Sequence, residues 1–403
     1  MKDNQYNISI AGFDHNIVIE KATGKISLVQ SMDRALTTSQ IFASVNCAMQ
    51  DFLTIRAGQG LSFHGNIKIV DGSIELYTLF GVLSARGSLT AKQIKLLAIE
   101  GSLDISATLD AYSLVTYAKT ESYIHDTIIN AIQFLAQTVG HYIQARSNVN
   151  TSKTVIISES SDVMLIASRM QSTILEVTSG RTIRVDESSM RATDQAYRGD
   201  NVHVTDSNIS GQSSSFQSQQ DIGIVKSNIS VEQVTNIAGE DLRVIGSNVA
   251  SRKMKNVAGR DIRVDESSMR ATDQAYRGDN IHVTDSNISG QSSSFQSQQD
   301  IGIDRSNIIG KQATHQAGKD IRVDESNIQV TDQAYRGDNV YVTDSNISGQ
   351  SSSFQSQQDI GIVRSSIIDE QITNQAGRDL RVTDLYLYII LLHLYRIHTI
   401  KKP

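Results

Sequence analysis

One 32-residue tract, TDQAYRGDN, two variable positions, then VTDSNISGQSSSFQSQQDIGI, occurs three times, at 193–224, 272–303 and 331–362. The offsets between copies are 79 and 59 residues, and they differ by 20. Inside the copies runs a shorter motif: Asp or Asn, an apolar residue, any residue, Val or Ile, two polar residues, Ser, Asn or Ser, and an apolar residue. Its first apolar residue falls at Val163, Ile183, Val202, Ile222, Leu242, Ile262, Ile281, Ile301, Ile321, Val340, Ile360 and Leu380, at gaps of 19 or 20. The longer offset is four units and the shorter is three, with 242–261 as the extra unit. Gain or loss by whole units is how a stack changes length, because each unit touches only its neighbours.

The unit reads as strand, not helix. Ile183/Val185, Ile262/Val264 and Ile321/Val323 are two residues apart, with Arg184, Arg263 and Arg322 between them. Period two in β-branched residues predicts a strand with one buried face. The polar pair after it predicts a corner and then a second strand. Gly199, Gly239, Gly259, Gly278, Gly318, Gly337 and Gly377 precede the next coil, where a turn with positive φ would favour glycine. The expected fold is all-β: a right-handed parallel β-helix of ~20-residue coils, with twelve coils at roughly 4.8 Å each giving a rod of about 55 Å.

Equivalent positions of such a stack form columns. One is serine, including Ser207, Ser227 and Ser247. The next is mostly asparagine: Asn208, Asn228, Asn248, Asn287, Asn307, Asn327 and Asn346. These predict structural corner ladders, the amides bonding along the axis; a glycan- or ice-binding array is the alternative. A carboxylate column, Asp221, Asp241, Asp261, Asn280, Asp300, Asp320, Asn339, Asp359 and Asp379, reads as turn-capping, with calcium as the alternative. A further column repeats acid, acid, base: Glu187, Asp206, Lys226; Glu266, Asp285, Arg305; Glu325, Asp344, Arg364. It reads as a solvated face of weak ion pairs.

Along the whole chain, five segments are expected. Residues 1–51 form an irregular N-terminal segment with short strands, and 52–118 a less regular solenoid with Gly-Ser and Asp-Gly turns. Residues 119–148 are expected to form an amphipathic helix, because Ile124, Ile128, Ile132, Leu135, Val139, Tyr142 and Ile143 follow three-to-four spacing. Its polar face is not basic, which argues against a membrane-surface helix. The regular β-helix occupies 155–384. Residues 385–403 form an apolar and basic tail, too short for a membrane span, that either covers the open end of the rod or follows a truncated coil.

The composition excludes several functions. Net charge is −6, unlike a general nucleic-acid binder, and the lone Cys47 excludes a disulfide framework and a Cys-rich zinc site. Ser, Asn, Gln and Asp are abundant, but the periodic Ile and Val argue against disorder. The N-terminus lacks a basic segment followed by an apolar one, so no signal peptide is read. No GxSxG, Walker loop or HExxH occurs. His203 and His282 are repeat-equivalent, but the third copy has Tyr341. Ser213, Ser214 and Ser215 are copied at 292–294 and 351–353 without a fixed histidine partner. Arg263, Asp265 and Glu266 imitate the cluster of Asp, Lys and Arg on one strand face of β-helix polysaccharide lyases, but so does every other coil. The expectation is a protein that is not an enzyme, with no catalytic, cofactor or metal residues.

The phrases AGEDLRVIGSNVAS (238–251), AGRDIRVDESSM (258–269), AGKDIRVDESNI (317–328) and AGRDLRV (376–382) resemble the haemagglutinin repeats of filamentous-haemagglutinin-like exoproteins. The resemblance covers about 163–384, and more loosely 52–110. It implies the internal stalk of a bacterial adhesin exported by two-partner secretion. The NPNG-type secretion motif, the VENN boundary and a toxin domain are missing from this chain. The implied function is cell or surface adhesion by a monomeric rod, secreted or at the cell surface. The partners would be a host or neighbouring-cell surface protein or glycan, and a membrane transporter during export. The alternatives are a cytoplasmic or truncated structural repeat protein, and a carbohydrate-active β-helix enzyme.

Overall fold

The computed structural model describes residues 52–384 with their side chains and, as backbone strands alone, Gln5–Ala11, His15–Glu20, Lys25–Gln30, Thr38–Cys47 and Tyr386–Leu394. These residues form a parallel β-solenoid and contain no helix. The chain divides into two units, Met1–Asp200 and Asn201–Pro403.

In the second unit each coil has a short strand, a corner and a longer strand. The first coil shows the plan: Asn201–Thr205, the corner Asp206, then Asn208–Ser218. In two coils the longer strand is split, into Asn287–Ser289 and Ser292–Ser297 and into Asn346–Ser348 and Ser351–Ser356. Each coil therefore presents three faces: the short strand, the first half of the long strand, and its second half. All stacking in this unit is parallel and in register, Ile222 against Leu242, Leu242 against Ile262, and Asn228 against Asn248. Both apolar residues of the short-strand motif point inward: Ile262 and Val264, like Ile321 and Val323, are at most 1% exposed.

In the first unit, antiparallel pairs come first: Gln5–Ala11 against 40–46 and His15–Glu20 against 25–30. Parallel stacking follows, with Thr38–Cys47 against 60–69 and Phe52–Ala57 against 73–78. Extended backbone then runs through Gly60–Ala118 before regular coils begin at Glu121.

The helix expected over 119–148 does not form. Glu121–His125, Ile128–Thr138, His141–Ala145 and Asn148–Ser158 are strands of two further coils, in register with those that follow. The three-to-four spacing came from mixing two faces. Ile129, Phe134 and Ala136 point inward, whereas Ile128 and Ile132 are more than 40% exposed. The motif is disguised because Tyr142 and Gln144 occupy the two inward positions held by Val163 and Leu165 in the next coil. Gln144 is fully buried and accepts a 2.9 Å hydrogen bond from the Tyr142 hydroxyl, so a polar residue stands in an apolar column.

The glycine expectation is also corrected. Gly239, Gly259, Gly318 and Gly377 do not have positive φ. They are required by close stacking: a Cβ at Gly239 would lie 1.9 Å from the Gln219 carbonyl oxygen, and one at Gly259 would lie 2.0 Å from that of Gly239. The left-handed conformation sits elsewhere, at the acid-acid-base column. Asp206, Lys226, Glu266, Asp285, Arg305, Glu325, Asp344 and Arg364 all have φ between 45° and 51°, and Gly246 has 58°. Asp and Asn tolerate this region best among residues with a side chain.

At the C-terminal end, Tyr386–Leu394 pairs in parallel with 366–374, so coil backbone continues beyond Asp384. The remainder of the expected tail, 385 and 395–403, lies outside the described residues, as do the side chains of 1–51, Cys47 included.

Candidate functional site

The corner explains the serine column. A left-handed corner turns the next N–H out of the sheet ladder, and a buried N–H needs an acceptor. The hydroxyl of the next coil supplies it. Ser207 N–H donates to Ser227 Oγ at 3.2 Å, Ser227 to Ser247 at 3.1 Å, and Ser247 to Ser267 at 3.1 Å. The series continues through Ser286, Ser306, Ser326 and Ser345 to Ser365. Each hydroxyl also donates to a carbonyl, as Ser247 does to Ile245 at 2.8 Å. In the first unit Thr127, Ser147, Ser168 and Ser188 make the same ladder.

The asparagine column lies outside. Asn208, Asn228, Asn248, Asn287, Asn327 and Asn346 are exposed and Asn307 is half-buried. Along the axis, Asn327 Nδ2 donates a hydrogen bond to Asn307 Oδ1 at 3.0 Å. A second asparagine ladder, missed in the sequence, is internal: Asn236 Nδ2 donates to Asn256 Oδ1 at 2.8 Å, and both residues are buried.

The Asp column caps backbone. Asp241 N–H donates to Asp221 Oδ1 at 3.1 Å, Asp320 N–H to Asp300 Oδ1 at 3.0 Å, and Asp379 N–H to Asp359 Oδ1 at 3.3 Å. Asn280 and Asn339 donate side-chain amides to Asp261 and Asp320. Asp241 is the most enclosed. Burial pushes its carboxyl up, but Arg260, the Asp261 N–H and Arg243 outweigh this and hold it below the usual range. Among the described residues, no group of three or more His, Cys, Asp and Glu is arranged to hold a metal ion.

Inside the second unit runs a column that sequence reasoning did not identify: Phe216, Asn236, Asn256, Tyr276, Phe295, His315, Tyr335, Phe354 and Asn374. From Tyr276 to Phe354 the rings stack at 4.7–4.9 Å, within 5° of parallel. The Tyr276 and Tyr335 hydroxyls donate to Gln274 and Gln333, two residues earlier on the same inward face. The Gln-Ala-Tyr repeated in each copy was the available signal. His315 is fully buried with neither ring nitrogen in a hydrogen bond of full geometry; burial pushes its pKa down to about 4, offset in part by a weak backbone hydrogen bond with Ala334.

The repeated serines divide by face. Ser214, Ser293 and Ser352 point inward, and their neighbours lie on the outer side. Ser352 donates to the buried Asp369 carboxylate, which burial pushes upward in pKa.

Arg263 pairs with Asp265 at 3.0 Å, while Glu266 is the left-handed corner residue of that coil. Arg243 and Arg322 instead pair with the aspartate two residues earlier, Asp241 and Asp320. A Ser-His-Asp grouping occurs at Ser161, His141 and Asp162, but it does not build a triad. Ser161 Oγ lies 2.9 Å from Nδ1 and 3.1 Å from Nε2, and Asp162 faces that same Nδ1 at 3.6 Å. Almost equidistant from both nitrogens, Oγ sits over the ring and not along the in-plane lone pair of Nε2, whereas a triad needs serine aligned on one nitrogen and the carboxylate on the other.

The repeat-equivalent His203, His282 and Tyr341 point outward from the short-strand face. Each ring fills the space above a glycine of the next coil: a Cβ at Gly223 would lie 2.8 Å from His203 Nδ1, at Gly302 3.0 Å from His282 Nδ1, and at Gly361 2.9 Å from Tyr341 Cδ1. None of these glycines has positive φ, so the ring, not the backbone, requires the missing side chain.

A family model described as a protein of unknown function (DUF3737) matches residues 235–378, which lie within the second unit. No curated protein matches the chain.

Proposed function

We propose that the chain is a non-catalytic solenoid scaffold that mediates adhesion to a cell or other surface, as the haemagglutinin-repeat resemblance implies. One observation carries this reading: the outward groups of the second unit recur in register, the ring-over-glycine seat three times, on one face of a rigid frame. Repeated weak contacts along one face serve avidity, whereas a catalytic centre is built once. The polar columns have internal partners, backbone groups for serine and aspartate and aspartate for arginine, which fix their places on the frame.

The test is adhesion of the full chain displayed on beads to bacterial and epithelial cells. Binding should rise steeply with bead density and saturate with free chain. Beads that adhere no better than albumin-coated ones at every density would refute the reading, and turnover of any polysaccharide by the same preparation would replace it with the enzymatic one.

A further inference from the structure

Resting on that adhesive reading, the geometry points to a more specific conclusion: we propose that the short-strand face of the second unit binds an extended, uncharged glycan, with Tyr341 and His282 as its ring contacts.

Three features of the face converge. First, the rings are held in place. Gly302 and Gly361 leave a notch that the His282 and Tyr341 rings fill, so a ligand meets a pre-positioned ring and loses less on ordering it. His282 is exposed and Tyr341 half-buried, so each ring is supported beneath and accessible above. Second, arginines bracket the rings along the axis. The outward column reads Arg263, His282, Gly302, Arg322, Tyr341, Gly361, Arg381, each stacked on the next. From ring to ring is three coils, ~14 Å at the spacing of parallel strands, a span that only an extended ligand covers.

Third, charge selects the ligand class. Arg263 and Arg322 are each neutralised by an aspartate on their own strand, at 3.0 and 3.2 Å. The adjacent outward column is Asp261, Asn280, Asp300, Asp320, Asn339, Asp359 and Asp379. A polyanion would meet this carboxylate row, and a polycation would meet the guanidinium groups. A polyhydroxylated neutral chain fits both, because it donates to carboxylates, accepts from guanidinium groups and places its C–H faces on the rings.

The test is calorimetric titration of the full chain with neutral hexasaccharides of glucose, mannose, xylose and N-acetylglucosamine, and with a sulfated hexasaccharide. At least one neutral probe should bind. Tyr341→Ala should weaken it roughly tenfold, and Gly361→Ala, which displaces the ring without removing it, should do the same. Tyr341→Phe keeps the ring and should retain binding, as should Gln296→Ala on a different face. Thermal unfolding of each variant separates loss of fold from loss of binding. No neutral probe binding, binding of the sulfated probe alone, or binding indifferent to Tyr341→Ala and Gly361→Ala in folded protein would overturn the proposal. If the beads still adhere under any of those outcomes, the adhesive reading stands and the glycan site falls.

Discussion

His315 makes the stability of the second unit depend on pH in a way that can be calculated. Its ring lies between Phe295 and Tyr335 at 4.9 and 4.7 Å, with neither nitrogen in a hydrogen bond of full geometry. The other ionisable groups of this interior are Tyr276 and Tyr335, which burial keeps neutral, and Asp369, whose pKa burial raises. Folding therefore favours the neutral imidazole. The folded pKa of about 4 lies below the ordinary 6.5, so between these values the unfolded chain binds the extra proton and stability falls as pH falls. The loss begins near pH 6.5 and is complete below pH 4. Linkage puts it at about 2 kcal/mol by pH 5 and about 3 kcal/mol by pH 4. His315→Phe removes the titration and suits a column that already holds Phe295 and Phe354. The assay is urea unfolding of both proteins between pH 7.5 and 4.5, with amide exchange of 312–316 as the local readout, since long repeats need not unfold in one step. The other titrating groups are common to both proteins and cancel in the difference. Parallel stability curves across that range would refute the reasoning.

Two further substitutions separate columns that look alike in sequence. Ser247→Ala should destabilise by about 1–3 kcal/mol, because the buried Ser227 N–H loses its acceptor, while Asn248→Ala on the exposed column should stay within roughly 0.5 kcal/mol in urea titration. Gly239→Ala should prevent a folded product or cost more than about 3 kcal/mol, since its Cβ would meet a carbonyl oxygen. Gly246→Asn should be neutral or stabilising in thermal unfolding, because its Cβ would meet the Lys226 stem at 3.6 Å and other corners carry Asp or Glu.

The three copies and their 19–20-residue step determined the coil, its strand character, its register and its tolerance of whole-unit change. These are legible because stacking forces each residue onto its equivalents, so chemistry repeats wherever position repeats. The Ser and Asp columns were legible for the same reason. Tertiary structure alone decided which side of the wall each column occupies. Serine turned inward to satisfy the N–H displaced by a left-handed corner, and asparagine beside it stayed outside. The apolar spacing over 119–148 misled because outward Ile128 and Ile132 fell in step with inward neighbours, and because Tyr142 and Gln144 satisfied each other inside. Glycine before the coils implied a turn, but at Gly239, Gly259, Gly318 and Gly377 a carbonyl of the previous coil excludes the Cβ. The stacked rings from Tyr276 to Phe354, and the buried His315 among them, exist only once the coils are superposed.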